Sequence, residues 1–147
     1  MATKARLISK TFVSSEDGTT IQLRAENADS AAPFVETIEV VSGTAELTDS
    51  NEGTIDTFDG TEVRAAHYHM ICNTTGDSDH QAQQIFITHN GDSATLVSYG
   101  TLLHGSSTIV IYDADINDSD TVSLKADPQG VDGLKFSFKR IDTAVTS

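Results

Sequence analysis

A single cysteine, Cys72, stands among the 147 residues, so no intrachain disulfide can form and a stapled secreted domain is excluded. No run approaches the roughly 18 apolar residues of a membrane span. The opening MATKARLISKTF lacks the apolar stretch of a signal peptide. The expectation is a soluble protein, made in the cytoplasm and partnered with no membrane. Basic residues are also scarce: nine Lys and Arg face 22 Asp and Glu, for a net charge of −13. Phosphates would be repelled, so no nucleic-acid partner is expected. Aromatics are few and do not interleave with basic residues, which argues against a stacking platform for single strands. Phosphate-binding glycine patterns and the G-x-S-x-G nucleophile turn are missing. No long segment repeats apolar residues at i, i+3, i+4 and i+7, so helix signals are weak throughout.

What the chain does contain is alternation. Thr20 to Ala25, Thr37 to Val41, Val63 to Cys72, Gln83 to His89, Ala94 to Tyr99, Thr108 to Tyr112, Thr121 to Ala126 and Leu134 to Ile141 read as short strands between turn residues. Within LKFSFKRI, Leu134, Phe136, Phe138 and Arg140 share one face, and Lys135, Ser137, Lys139 and Ile141 share the other. Asn90-Gly91 between two alternating runs predicts a hairpin with a type I′ turn. Asp127-Pro128-Gln129-Gly130 predicts a second hairpin over Leu124 to Leu134. Ala28 to Pro33 reads as a loop or one helical turn, and Thr48 to Gly60 as a long exposed loop. About eight strands at regular spacing predict an all-β antiparallel β-sandwich, jelly-roll-like in topology. Residues 1–15 would form an extended N-terminal arm and residues 16–147 a single domain.

Charge is distributed unevenly. Residues 1 to 24 hold Lys4, Arg6, Lys10 and Arg24 against Glu16 and Asp17, whereas residues 25 to 62 hold ten acids and no Lys or Arg. A mildly basic arm could dock on an acidic neighbour, including another copy of the chain.

Three constellations are candidates for chemistry. His67 and His69 lie i, i+2 on one strand face and could reach one metal, as in a cupin-like enzyme. Zinc needs three or four such ligands, and His80, His89 and His104 could contribute only through the fold. Cys72 is a candidate nucleophile with no local activating pattern, and a buried core cysteine is the simpler reading. DADINDSD places Asp113, Asp115, Asn117 and Asp120 close enough to consider calcium. An EF-hand loop needs glycine at its sixth position and an acid at its twelfth. Asp118 and Leu124 occupy those positions, and strands rather than helices flank the stretch. An acidic turn is therefore the first reading, with no metal and no other cofactor expected. In a carbohydrate-binding module, Tyr68 or Tyr99 would stack on sugar.

From about Arg64 to Thr143 the order of marks is distinctive: His89-Asn90-Gly91, Tyr99-Gly100, Asp113-Ala114-Asp115-Ile116, Leu124 and Pro128. This ordered set resembles a C-terminal β-sandwich unit of virion structural proteins of tailed bacteriophages, notably phages of marine bacteria. Asn117-Asp118-Ser119-Asp120 replaces the glycine-rich turn common there. The resemblance implies a non-enzymatic virion component with no catalytic residue to carry over. A small capsid decoration (cement) protein on the head is the leading expectation, with a tail, neck or fibre part as the alternative. Its implied partners are the major capsid protein and itself, as a homotrimer.

Overall fold

The computed structural model describes residues 12–14, 20–24, 35–76, 78–105 and 107–144. Ten strands follow one another: β1 (Phe12–Ser14), β2 (Thr20–Arg24), β3 (Val35–Leu47), β4 (Gly53–Asp59), β5 (Val63–Thr74), β6 (His80–His89), β7 (Ala94–His104), β8 (Val110–Ile116), β9 (Thr121–Pro128) and β10 (Leu134–Ala144). The chain divides into two compact units, Met1–Val41 and Ser42–Ser147. In the first, β1 pairs with β2 and β2 with the start of β3, both antiparallel. Most of the expected arm over residues 1–15 lies outside the described residues, as does Ala28 to Pro33.

The second unit is the expected antiparallel sandwich. Its larger sheet runs in the order β3, β10, β5, β6, β7, with β3 contributing residues 42–47, and its smaller sheet runs β4, β9, β8. The adjacency of β3 with β10 and of β4 with β9 nests one pair inside the other, as a jelly roll does. Inside that frame lie a β5–β6–β7 meander and a β8–β9 hairpin.

Alternation works because one face of each strand is buried between the sheets. On β5 the inner set includes Ala66, Tyr68, Met70 and Cys72; on β10 it is Leu134, Phe136, Phe138 and Arg140, as the pattern of LKFSFKRI predicts. They meet Ile55, Phe58, Tyr112, Val122 and Leu124 of the smaller sheet. Fully burying one such side chain contributes roughly 1.5–3 kcal/mol. Gly43 is required on β3 because the Phe138 ring occupies the space where a Cβ would stand.

Three local expectations are corrected. Thr48 to Gly60 is not all loop: it contains β4, whose Ile55 and Phe58 are buried. A bulge between Thr54 and Asp56 breaks the two-residue period and disguises the strand. The proposed hairpin over Leu124 to Leu134 is a crossover. Strand β9 pairs with β4 and β8, whereas β10 pairs with β5, so Asp127 to Gly130 carries the chain between sheets. The hairpin at Asn90-Gly91 exists, but only Gly91 has positive φ, so the turn is not type I′, which needs two such residues. Instead Asn90 Oδ1 accepts hydrogen bonds from the backbone N–H groups of Asp92 and Ser93, each at 2.9 Å.

Two buried tyrosines should respond oppositely to the same substitution. Tyr112 buries its hydroxyl with no hydrogen-bond partner among the described residues, whereas Tyr68 donates to Asp56 Oδ2 at 3.0 Å. Tyr112→Phe should raise the unfolding free energy by about 1 kcal/mol, and Tyr68→Phe should lower it by about 1–2 kcal/mol. Urea unfolding monitored by circular dichroism measures both.

Candidate functional site

The outer face of the larger sheet is assembled by register. One row runs Ile141, His67, Phe86, Val97 across β10, β5, β6 and β7. The next row is Lys139, His69, Gln84, Tyr99, followed by Ser137, Ile71, Ala82, Leu102. Lys135, Asn73, His80 and His104 close one end; Thr143, Ala65, Thr88 and Thr95 close the other. None of these positions on β10, β5, β6 and β7 is Asp or Glu; the neighbouring β3 adds one exposed acid, Glu46, near Lys135. At the chain's average of 22 acids in 147 residues, about three would be expected there. Ile71, Phe86, Val97, Tyr99 and Leu102 are large apolar side chains exposed on this face.

The rings form a short ladder. His67 stacks on Phe86 with centroids 4.0 Å apart, and Phe86 stacks on Tyr99 at 5.6 Å. His67 Nε2 shares a 3.1 Å hydrogen bond with Gln84 Oε1, which holds the imidazole in the stack. The rings spend faces on one another, an arrangement suited to packing against a protein surface rather than to laying a ring face under a sugar. Beside the ladder lies a groove of about 630 Å³, mostly apolar, lined by Gly43, Ile71, Leu102, Phe138 and Lys139 among others.

The smaller sheet presents the opposite chemistry. Asp113 and Asp115 on β8 point outward from the sandwich, and β9 adds Asp127. Asp59 closes β4, where hydrogen bonds from the Thr61 side chain and backbone hold its pKa below the ordinary carboxylate value. Lys125 is the one cation facing outward from these three strands; it pairs with Asp115 and lies 3.8 Å from Glu52. The Asp115 hydrogen bond, with neighbouring carboxylates, pushes the Lys125 pKa up. Ile111 stands exposed on this face, opposite Asp127.

The residues nominated from sequence separate. His67 and His69 do share a face, with rings 4.9 Å apart, but His89 is buried on the inner side. His80 and His104 sit together at the far end of the face. Among the described residues no group of three or more His, Cys, Asp and Glu is arranged to hold a metal ion. Asp113 to Ile116 finish β8, and Asn117 to Asp120 form the turn into β9. Asn117 Oδ1 accepts from the N–H groups of Ser119 and Thr121 at 3.0 Å each, while Asp120 carries a positive φ of 56°. That turn seats on Gly60, whose N–H donates to Asp120 O at 2.7 Å. Tyr68 is fully buried and is not available to a sugar; Tyr99 is exposed.

Two buried polar arrangements escaped sequence reading. Arg140 Nη1 donates to Asp56 Oδ2 at 2.6 Å, and its Nε and Nη2 grip both carboxylate oxygens of Asp142 at 2.7 and 2.8 Å. Gln81 Nε2 donates to Val110 O at 2.8 Å while its Oε1 accepts from Ile109 N at 3.0 Å. Both arrangements join the sheets. Arg140 on an otherwise apolar strand face was a signal for the first; nothing local distinguishes Gln81.

No family model and no curated protein matches this chain. Among solved structures, the tailspike protein of Acinetobacter phage vB_ApiP_P1 is 12% identical, with a TM-score of 0.40 over 81% of this chain. The match spans 24% of the tailspike chain. A likeness at that score assigns no role.

Cys72 should behave as a core residue. Burial pushes its thiol from an ordinary 9.0 up to about 12. A raised thiol pKa contributes stability that is complete below about pH 9 and is lost as pH rises toward 12. At pH 8 a thiol reagent should label Cys72 only after unfolding in urea. Equal rates in native and unfolded protein would contradict the burial.

Proposed function

We propose that this chain is a non-enzymatic structural protein of a tailed-phage virion, a capsid decoration protein on the head surface. Its partners are the major capsid protein and other copies of itself, as a homotrimer, in a particle assembled in the host cytoplasm. The reading rests on the ordered motif set over residues 64–143. Most of these marks fall at joints of the sandwich, Leu124 being a core residue within β9: His89-Asn90-Gly91 ends β6 and turns toward β7, and Asp113 to Ile116 complete β8. Gly100, with φ of 67°, lies where the β6–β7 register shifts, and Pro128 ends β9. Spacing that coincides with turns and bulges is what a shared sandwich would preserve, because those positions limit the backbone most.

The character of the unit supports the same reading. Its buried ionisable cluster at Arg140, Asp56 and Asp142 is engaged in holding sheets together, and its exposed outer faces are broad surfaces suited to contact. A tail, neck or fibre location is the alternative within the virion. A sugar-binding module loses one of its two nominated tyrosines to the core.

Mass spectrometry and electron cryomicroscopy of purified particles of the source phage test the proposal. The expected result is this chain in many copies on the head, at or around threefold positions. Particles lacking it would overturn the virion role; density confined to the tail would replace decoration by the tail reading.

A further inference from the structure

We infer that copies of this chain associate front to back, the acid-free outer face of β10–β5–β6–β7 in one copy docking on the acidic outer face of β4–β9–β8 in the next. The inference stands on the two faces of the second unit and does not require the virion role.

In a chain of net charge −13, two copies repel wherever carboxylates meet. The front rows on β10, β5, β6 and β7 hold none, with Glu46 of β3 at their border near Lys135, and they carry Lys139 with four of the five histidines. The back face presents Asp113, Asp115 and Asp127 with Lys125 already paired. Front against back sets lysines against carboxylates. Front against front sets lysines against lysines and leaves the acidic face unused. Complementary potentials of this kind choose register and partner.

Ile111 is an exposed apolar side chain on the back, flanked on the same face by Asp113 and Asp127. The groove on the front is mostly apolar, lined by Ile71, Ala82 and Leu102, with Lys139 at its edge. An isoleucine between two carboxylates therefore fits a groove with a lysine at its rim. Four strands about 4.8 Å apart and five rows about 6.7 Å apart cover roughly 640 Å², and the three-strand back face is narrower, so the contact falls below the about 800 Å² per partner of a standard interface and suits a weak, concentration-dependent association. Because the contact joins unlike patches, repetition gives a ring if the rotation closes and a filament if it does not.

Sedimentation velocity of the full chain over a concentration series tests the inference. Leu102→Glu blocks the front and Ile111→Lys blocks the back; the native residues are 72% and 54% exposed, so both variants should fold, which circular dichroism checks. Tyr99→Glu provides a second front variant. The wild type should associate beyond a dimer and weaken at least tenfold in dissociation constant between about 0.05 M and about 0.5 M salt. Each variant alone should be monomeric. An equimolar mixture of Leu102→Glu and Ile111→Lys should give a one-to-one dimer and nothing larger, since only one complementary pair of faces survives. A wild type that stays monomeric at all concentrations would overturn the inference. So would Ile111→Lys dimerising alone, the mark of a front-to-front contact. Failure here would leave the particle measurement unaffected, and the reverse.

Discussion

Arg140 is the point on which the sandwich depends. It sits on the inner face of β10, in the larger sheet, and reaches Asp56 on β4, in the smaller one, with Nη1 also donating to Thr57 O at 3.2 Å. The guanidinium lies 5.3 Å from the centre of the Phe58 ring, and Tyr68 of β5 donates to the same Asp56 oxygen. Burial by itself lowers the pKa of Arg140; the hydrogen bonds to Asp142 and the charges of Tyr68 and Asp56 outweigh it, so the net shift is upward. A buried charge with every partner in place is tolerated, whereas one with a partner removed is strongly destabilising. Apolar packing lets two sheets slide, because it has no direction. The bidentate grip on Asp142, two residues along the same strand, aims the guanidinium, and its bonds to Asp56 and Thr57 O cross to the other sheet, so the cluster sets where β4 lies over β10. The bulge in β4 belongs to this device: the register shift before Asp56 turns its carboxylate inward between buried Ile55 and Phe58.

The second join seals an edge. Strand β8 is the border of the smaller sheet, with backbone groups that no further strand among the described residues covers. Gln81 of β6 caps the start of that edge with its amide, donating to Val110 O and accepting from Ile109 N and Val110 N. Its second donor goes to Gln83 Oε1 at 2.9 Å, so the amide is fully used. The Asn117 turn plays a similar part at the opposite end of β8, where the side chain substitutes for backbone and Gly60 admits close approach. The acidic residues that suggested calcium are thus divided between turn geometry, an ion pair with Lys125 and an outward strand face.

Legibility followed the two-residue period. Where one face was buried and the strand regular, as in LKFSFKRI or the run ending at His89, inward and outward residues could be assigned from sequence. Where a bulge interrupted the period, β4 read as loop because Ile55 and Phe58 are three residues apart. Asp127-Pro128-Gln129-Gly130 announced a reversal, but a turn that crosses between sheets has the same composition as one within a sheet. Arg140 was placed on the inner face, yet its partner lies 84 positions away and no local signal names it. The candidate surface was least legible. Each of the four strands is acid-free on its outer side, and β6 and β7 hold no acid at all, but the width of the surface emerges only when register sets Lys139, His69, Gln84 and Tyr99 side by side.

The central claim is that Arg140 and Asp56 act as one directional clamp between the sheets, and a double-mutant cycle tests it most directly. Unfolding free energies of the wild type, Arg140→Met, Asp56→Leu and the double variant, measured in urea, give the coupling. The clamp predicts that each single change destabilises by about 3–5 kcal/mol and that the double costs well under their sum, with a coupling of roughly 2–3 kcal/mol. Additivity within about 0.3 kcal/mol would contradict it, and would leave apolar packing alone to set how the two sheets meet.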